Sequence, residues 1–465
     1  MSQKQAAFLA IPLMFQVDDT FFPVGHDFLQ SVPNYAVYLL AGILKSDNRP
    51  CDIIDWASEP SKPLNEICNI LSPYKLVFIS INSFNWPVAL AVAKRLKENE
   101  ERIKLCCGGV HPTRYPHHIL RSGFFDAVFC GEAETSISNI YDQLLSDSNI
   151  HDISGLYYCN SAALSRSKFN IVREDKIDVP LEYIKYDLVP EGIFRCIPVE
   201  TSRGCKQVCS FCGTPFQNDW RSISAENASQ ILNHAYNSID KCTFGKIQVI
   251  EDCFTTDHNR ILKLCKNLSE EKFNRNLLYD ARIVDLLNEN LLESLEPFTD
   301  SILTGAEVYN IEDAKKIGKP VTPETINEAA SKLSKHDLAD RTEFSFILGF
   351  PWHTFEDCKK LIEFAVRLSL DHGIRVLLQW YIPTPGSRMW RSLERDNKVN
   401  IEMIEEIGFF WNPENFLAFR HVTRNDVKDL ERLIAIIDLS FQIRDEFPRN
   451  RKFFYVGRAP IACVK

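Results

Sequence analysis

Glu200-Thr201-Ser202-Arg203-Gly204-Cys205-Lys206-Gln207-Val208-Cys209-Ser210-Phe211-Cys212-Gly213 sets three cysteines at the spacing C-x3-C-x2-C. A glycine precedes the first, an aromatic precedes the third, and a glycine follows it. Thiolates this close in one loop can converge on a soft metal centre. Iron–sulfur clusters are held by cysteine thiolates, usually four; three would leave one iron open to a ligand that is not protein. Two plainer readings stand beside this one. Free cysteines are commonly buried as small apolar residues. A structural zinc site takes four ligands in paired Cys or Cys/His spacing, but no His or further Cys follows closely enough to complete it, and Cys196 upstream reads as part of a strand.

Outward from this loop the chain alternates between strand and helix patterns. Cys196–Glu200 reads as the strand that delivers the cysteines. Downstream strands are expected at 246–250, 277–280, 301–304, 343–348 and 374–380. Between them Ser224, Asp257, Thr322-Pro323 and Thr354 with Asp357 look like helix starts, by N-cap chemistry and by proline at a first turn. Six strands alternating with helices suggest an incomplete (β/α) barrel. Barrel chemistry sits at the C-terminal strand ends. There the sequence places Glu251 and Asp252, Arg282, and Glu307.

Upstream, apolar strands at 8–13, 51–55, 76–81, 104–107 and 126–129 alternate with helices at 34–44, 64–71, 87–97 and 134–145. Continuous apolar strands separated by helices imply a parallel sheet covered on both faces. This is a doubly wound, Rossmann-like α/β domain, whose ligands sit at the carboxyl ends of strands. Asn82-Ser83, Gly108-Gly109-Val110 and Glu132 fall there. Gly108 and Gly109 would let backbone approach a ligand, or would simply turn the chain. The expected units are a doubly wound domain over 1–150, a linker over 151–194 with a hairpin near Gly155–Tyr158, a partial barrel over 195–390, and a helical region over 391–465 covering the barrel mouth.

The cysteine motif resembles the signature of the radical S-adenosylmethionine (radical SAM) superfamily. The order strand, Gly-Gly-x-His-Pro-Thr, Phe-Asp-Ala-Val-Phe-Cys-Gly-Glu, then that motif resembles its cobalamin-binding-domain subclass over roughly residues 5 to 390. The resemblance implies a cobalamin-binding-type domain before the barrel. It implies a [4Fe–4S] cluster on Cys205, Cys209 and Cys212, with S-adenosylmethionine chelating the open iron and cleaved to a 5′-deoxyadenosyl radical. Phe211 would flank the adenine, Glu251-Asp252 would contact the methionyl amine, and Glu307 the ribose. Gly349-Phe350-Pro351 would line the adenine, and Gln379 to Trp390 matches the post-barrel motif. Two departures stand out: no Asp-x-His-x-x-Gly supplies a cobalt ligand, and Trp352-His353 replaces the usual Gly-Glu after Gly-Phe-Pro. His111 beside Gly-Gly reads as a loop residue rather than a cobalt ligand.

Composition bounds the rest. The 465 residues are 45% hydrophobic and 25% charged, with net charge −9 and no basic block. That argues against nucleic acid as the main partner. No apolar run reaches the ~18 residues of a membrane span, and Met1–Ala10 lacks a signal-peptide pattern. The 15 cysteines, without a secretion signal, point to reduced thiols in the cytoplasm. The leading expectation is a cobalamin-dependent C-methyltransferase acting on an unactivated carbon of a small-molecule or peptide substrate, with a reducing partner such as flavodoxin or ferredoxin. The alternatives are a cobalamin-independent radical SAM epimerase, cyclase or rearrangement enzyme, with Cys253 or Cys463 as a hydrogen donor, and a non-catalytic metal-binding scaffold.

Overall fold

Apolar strand residues need cover on both sides, and the first sheet obtains it by alternation. In the computed structural model Lys4–Ala10 (β1), Cys51–Asp55 (β2), Tyr74–Ser80 (β3), Lys104–Gly108 (β4) and Ala127–Phe129 (β5) are joined by parallel pairings. Leu156–Tyr158 (β6) adds an antiparallel edge, and the order is β2-β1-β3-β4-β5-β6. Along β1, Ala6, Phe8 and Ala10 join one core while Ala7 and Leu9 join another. The helices are Tyr35–Ser46 (α1), Leu64–Leu71 (α2), Trp86–Asn99 (α3), Val110–Arg114 (α4), Pro116–Arg121 (α5) and Ile137–Leu145 (α6). The Asn34 side chain accepts the Val37 N–H and starts α1. Strand order reverses between β1 and β3, the point at which doubly wound sheets open a crevice.

The described residues are 4–406 with omissions at 13, 18–19, 24–31, 60–61, 101, 147–151, 161, 163–164, 167 and 274–276, then 409–410, 421–443 and 454–457. Cys463, expected as one alternative hydrogen donor, lies outside them.

The second sheet runs in chain order: Cys196–Val199 (β7), Lys246–Val249 (β8), Leu277–Ala281 (β9), Thr299–Glu307 (β10), Thr342–Leu348 (β11), Arg375–Trp380 (β12) and Phe454–Gly457 (β13). All its pairings are parallel, and β7 and β13 stand at its two edges, so the barrel is partial. Its helices are Ala225–Tyr236 (α7), His258–Glu270 (α8), Glu289–Leu295 (α9), Ile311–Ile317 (α10), Pro323–Lys335 (α11) and Phe355–His372 (α12), followed by Arg388–Arg395 (α13) and Arg424–Ile443 (α14). The expected caps hold: Ser224, Asp257 and Thr322 accept backbone N–H groups, and Thr354 with Asp357 forms a capping box.

Three expectations change. The segment expected as a hairpin-bearing linker supplies β6 to the first sheet, and Val172 bridges to Gly131. The C-terminal region supplies a seventh barrel strand as well as helices, because the aromatic and β-branched run at 454–456 pairs with β12. The described residues of that region also reach the first domain. Ile401–Glu405 packs on α3, the Phe410 ring meets Phe84 at a tilt with centroids 4.5 Å apart, and α14 packs on α12. Trp390 and Leu393 of α13 join the core of the first domain, so the chain returns to that domain after the barrel.

Candidate active site

The cysteine loop leaves β7 and is held by its own backbone. Gly204 has φ +80, and a Cβ there would collide with the Asp219 carbonyl, so only glycine serves this turn. The Gln217 side-chain amide donates to the carbonyls of Cys209 (3.3 Å) and Cys212 (3.0 Å). The Ser210 N–H donates to the Ile317 carbonyl at 2.7 Å, and Met389 N–H to the Ser210 carbonyl at 2.9 Å. The sulfurs of Cys205 and Cys212 accept the N–H groups of Gln207 and Thr214, each at 3.4 Å. At Cys205 the Gln207 N–H favours thiolate.

The three thiols feel one another electrostatically. Burial pushes the Cys205 thiol up and Cys209 up to about 11, and Lys319 works against that rise at Cys209. Among the described residues no His, Cys, Asp or Glu side chains gather closely enough for a single metal ion.

Lys319 is a site residue that no sequence signal disclosed. Its Nζ lies 2.9 Å from Glu307 Oε1, with both side chains nearly buried. Burial disfavours the ammonium, yet Glu307 and the Cys209 sulfur hold it charged, and its pKa is raised. Glu307 has φ +65, a left-handed conformation that costs roughly 1–2 kcal/mol in a residue with a Cβ. The ion pair sits over Gly305, where a Cβ would collide with both partners.

The other strand-end residues divide. Asp252 lies beside Cys205 and Thr214, accepts the Thr214 hydroxyl at 3.1 Å, and is raised by burial. Glu251 turns back into the protein: it accepts the Thr201 N–H at 2.6 Å and the hydroxyls of Thr201 and Ser202, and braces the start of the loop. Arg282 is fastened to Asp285 at 2.8 and 2.7 Å, although its charge still reaches Cys205. Phe211 meets Phe350 edge-on at 6.0 Å, and Phe350 stacks on Trp352 at 5.1 Å. His353 and Trp352, the departure after Gly-Phe-Pro, both bind the Asp313 carboxylate, at 3.2 and 2.6 Å. Asp280 of β9 is pushed up to about 7 by desolvation, with the neighbouring Asp252 adding to the rise.

Both domains open on one cavity of about 690 Å³. Its wall from the first domain includes Asn82, Ser83, Gly108, Gly109, Val110 and Glu132; its wall from the barrel includes Glu200, Arg203, Gly213, Glu251 and Asp252. An apolar recess under α1 and α6 is lined by Phe8, Leu39, Phe78, Phe129 and Ile140. Gly109 has φ +111 and a Cβ there would strike the Ile81 carbonyl, so this glycine serves the turn; at Gly108 a Cβ would meet nothing closer than 3.9 Å. Val110 is 43% exposed and offers an apolar edge. Asn82 caps its own turn, accepting the N–H groups of Phe84 (2.8 Å) and Asn85 (2.9 Å). Glu132 was expected to bind a cofactor. Instead both its oxygens hold Arg221 of the barrel at 2.8 Å, which makes it a brace between domains.

His111 is fully buried and does not face the cavity. Its Nδ1 is 3.1 Å from the Ser83 hydroxyl and its Nε2 3.1 Å from His118 Nδ1; His118 Nε2 is 2.9 Å from Glu405. A carboxylate only accepts, so His118 donates to Glu405, His111 donates to His118, and Ser83 donates to His111. Burial lowers His111 to about 3, which keeps it neutral within this series.

Comparison with known proteins places this geometry. The B12 binding domain matches residues 23–140, and the radical SAM superfamily matches residues 199–365. The chain is a radical SAM protein with a B12 binding domain. Its relatives include an uncharacterized methyltransferase of Pyrococcus horikoshii, 26% identical over 375 residues, which are 77% of this chain and 78% of that one. Another is the bacteriochlorophyllide d C-8(2)-methyltransferase of Chlorobaculum tepidum, 21% identical over 387 residues and 78% of each chain. Among solved structures, the radical SAM methyltransferase TsrM from Kitasatospora setae, with cobalamin and a [4Fe–4S] cluster bound, gives a TM-score of 0.66 at 13% identity, covering 93% of this chain and 91% of that one. The cobalamin-dependent S-adenosylmethionine radical enzyme OxsB gives 0.66 at 17% identity over 86% of this chain, which spans 62% of the OxsB chain. At these identities the likeness establishes the fold. In this radical SAM chain Arg114, just past His111, donates to the Thr214 carbonyl at 2.6 Å and so ties the B12 binding domain to the cysteine loop.

Proposed function

We propose that this chain is a cobalamin-dependent radical SAM methyltransferase that methylates an unactivated carbon of a small-molecule substrate. The observation that carries the reading is the single cavity onto which the strand ends of both domains open. The donor set fits the expected groups: three thiols in one loop suit a [4Fe–4S] cluster, and an apolar recess beside an open Gly108 suits a large flat ring with a tail. When bound, these groups would supply an electron for cleaving S-adenosylmethionine and a carrier for its methyl group.

Cys205, Cys209 and Cys212 hold the cluster, with Lys319 offsetting the negative charge that their ionisation brings. Asp252 accepts from the methionyl ammonium, and a charge-assisted bond fixes its position. Glu307, held by Lys319 in a strained conformation, accepts from ribose hydroxyls. Phe211 and Phe350 wall the adenine and exclude water. Glu251 and Arg282 act one step removed, bracing the loop and Asp285. Ser83, Gly108, Gly109 and Val110 floor the cobalamin side, with no free side-chain nitrogen offered by His111. On this reading residues 1–150 bear cobalamin, 151–194 link and edge the sheet, 195–390 bear the cluster and S-adenosylmethionine, and 391–465 complete both domains.

The cobalamin-independent epimerase, cyclase or rearrangement reading leaves the apolar recess under α1 and α6, on the B12 side of the cavity, without an occupant. The scaffold reading leaves the Glu307–Lys319 strain unexplained. Anaerobically reconstituted protein, supplied with hydroxocobalamin, S-adenosylmethionine and dithionite, should retain cobalamin through gel filtration. It should release both 5′-deoxyadenosine and S-adenosylhomocysteine. Deoxyadenosine without cobalamin retention or S-adenosylhomocysteine would reassign the chain to the cobalamin-independent class.

A further inference from the structure

Arg114, the last residue of α4, is a half-buried cation that no carboxylate among the described residues pairs with. Its guanidinium donates to two backbone carbonyls of the cysteine loop, Thr214 at 2.6 Å and Gly213 at 3.5 Å. Its Nε is buried without a hydrogen-bond partner. The side chain lies across Gly386 of the post-barrel segment, where a Cβ would approach the Arg114 Cδ to 3.3 Å. Arg391, a like charge, donates to the Gly386 carbonyl at 2.9 Å. Burial presses hardest against the Arg114 charge and Arg391 adds to that, while Tyr115 and Cys212 favour it. A guanidinium taken out of water beside a second cation calls for an anion. Burial pushes the Tyr115 phenol up, so it stays neutral. That leaves Cys212, because a cysteine that ligates iron is a thiolate.

Both ends of α4 touch a cofactor side of the cavity. At its start Gly109 and Val110 line the wall, and so does Thr113, whose hydroxyl accepts the Gly131 N–H at 2.9 Å. At its end Arg114 holds Thr214. The Thr214 N–H and hydroxyl lie 3.4 and 3.3 Å from the Cys212 sulfur, and the hydroxyl donates to Asp252 at 3.1 Å. We propose that Arg114 is a positioning residue that couples the two cofactor sites: its cation answers the Cys212 thiolate of the assembled cluster and so holds α4, and with it the cobalamin-side wall, in the binding arrangement. This deepens the cobalamin-dependent reading given above and rests on it. Without iron a cysteine thiol is neutral at pH 7, and the guanidinium keeps only its carbonyl contacts. Linkage makes the effect reciprocal: a cluster that steadies the cobalamin wall is itself steadied by cobalamin, by the same free energy.

Equilibrium dialysis of hydroxocobalamin against the full chain, either reconstituted with its cluster or stripped of iron, reads the coupling as a ratio of two dissociation constants. No turnover is involved. In the wild type, cobalamin should bind the cluster-bearing form roughly 5-fold or more tightly. Arg114→Met should bring that ratio to about 1, by weakening cobalamin in the cluster-bearing form alone. Arg114→Lys, which keeps the cation, should retain most of the ratio. A ratio in Arg114→Met equal to that of wild type would overturn the proposal, and so would a wild-type ratio of about 1. Affinity lost by the same factor in both forms of the variant would mark a purely structural role and overturn it as well. Should Arg114→Met fail to fold, a ratio lost in Arg114→Lys would still overturn the role given to the charge. Wild-type protein that takes up no cobalamin in either form would instead remove the cobalamin-dependent reading itself, and the coupling with it.

Discussion

Glu307 and Lys319 concentrate the account at the scale of single residues. Glu307 pays for its left-handed backbone with an ion pair, so Glu307→Gly should be more stable than Glu307→Ala by about 1 kcal/mol in urea denaturation. Equal stabilities would mean that the conformation carries no strain. Removing the cation is worse: Lys319→Ala leaves a buried carboxylate alone and should cost about 3–5 kcal/mol. Asp55 supplies a pH signature. Burial pushes it up to about 6 although it accepts from Tyr38 and Ala57. A carboxyl raised in the folded state binds more protons there than when unfolded. Its contribution is present below about pH 4 and is lost as pH rises toward 6, by roughly 3 kcal/mol in all. Asp55→Asn should flatten that part of the stability profile; an unchanged slope would locate the titration elsewhere.

At the scale of elements, the strands and helix starts were largely readable, since apolar runs and caps are local in sequence. Cys51–Asp55 and Leu64–Leu71 fall where their patterns put them. The cysteine loop was readable for the same reason. What escaped notice depends on partners far along the chain. Glu132 looked like a ligand contact until its partner, 89 residues on, was placed against it. Lys319 follows a helix-ending glycine and has no spacing that ties it to Cys209. His111 looked like a loop residue, whereas α4 and α5 bury it in a series that ends on Glu405, 287 residues after His118. That series predicts an element-level effect. His118→Ala leaves His111 Nε2 buried without a partner, costing about 1–3 kcal/mol. It also frees Glu405, so amide hydrogen exchange across 401–406 should quicken. Unchanged exchange there would mean that the 401–405 turn is held by its α3 packing alone.

On the scale of the whole molecule, the two domains are joined by polar contacts rather than by a strap of chain alone. Arg221 grips Glu132, Arg203 lies 2.5 Å from Glu134, and Arg114 holds the Thr214 carbonyl. Trp390 and Leu393, encoded after the barrel, complete the first domain's core. The cavity exists only because these braces set the two sets of strand ends face to face. Arg221→Met leaves the buried Glu132 with only Arg203 at 3.5 Å and the Glu174 N–H at 2.6 Å, at a cost of about 1.5–3 kcal/mol. Calorimetry of that variant should resolve two transitions where the parent shows one; a single transition shifted down would mean that the apolar contacts couple the domains unaided. The seventh barrel strand was legible in principle, from the aromatic run at 454–456, but charged residues before it masked the resumed alternation.

The most direct measurement is 5′-deoxyadenosine released from S-adenosylmethionine under dithionite by anaerobically reconstituted protein, set against a variant with Cys205, Cys209 and Cys212 all changed to alanine. The account predicts release by the parent and none above background by the variant, with the brown chromophore lost as well. Release at the parent's rate by the variant would contradict it.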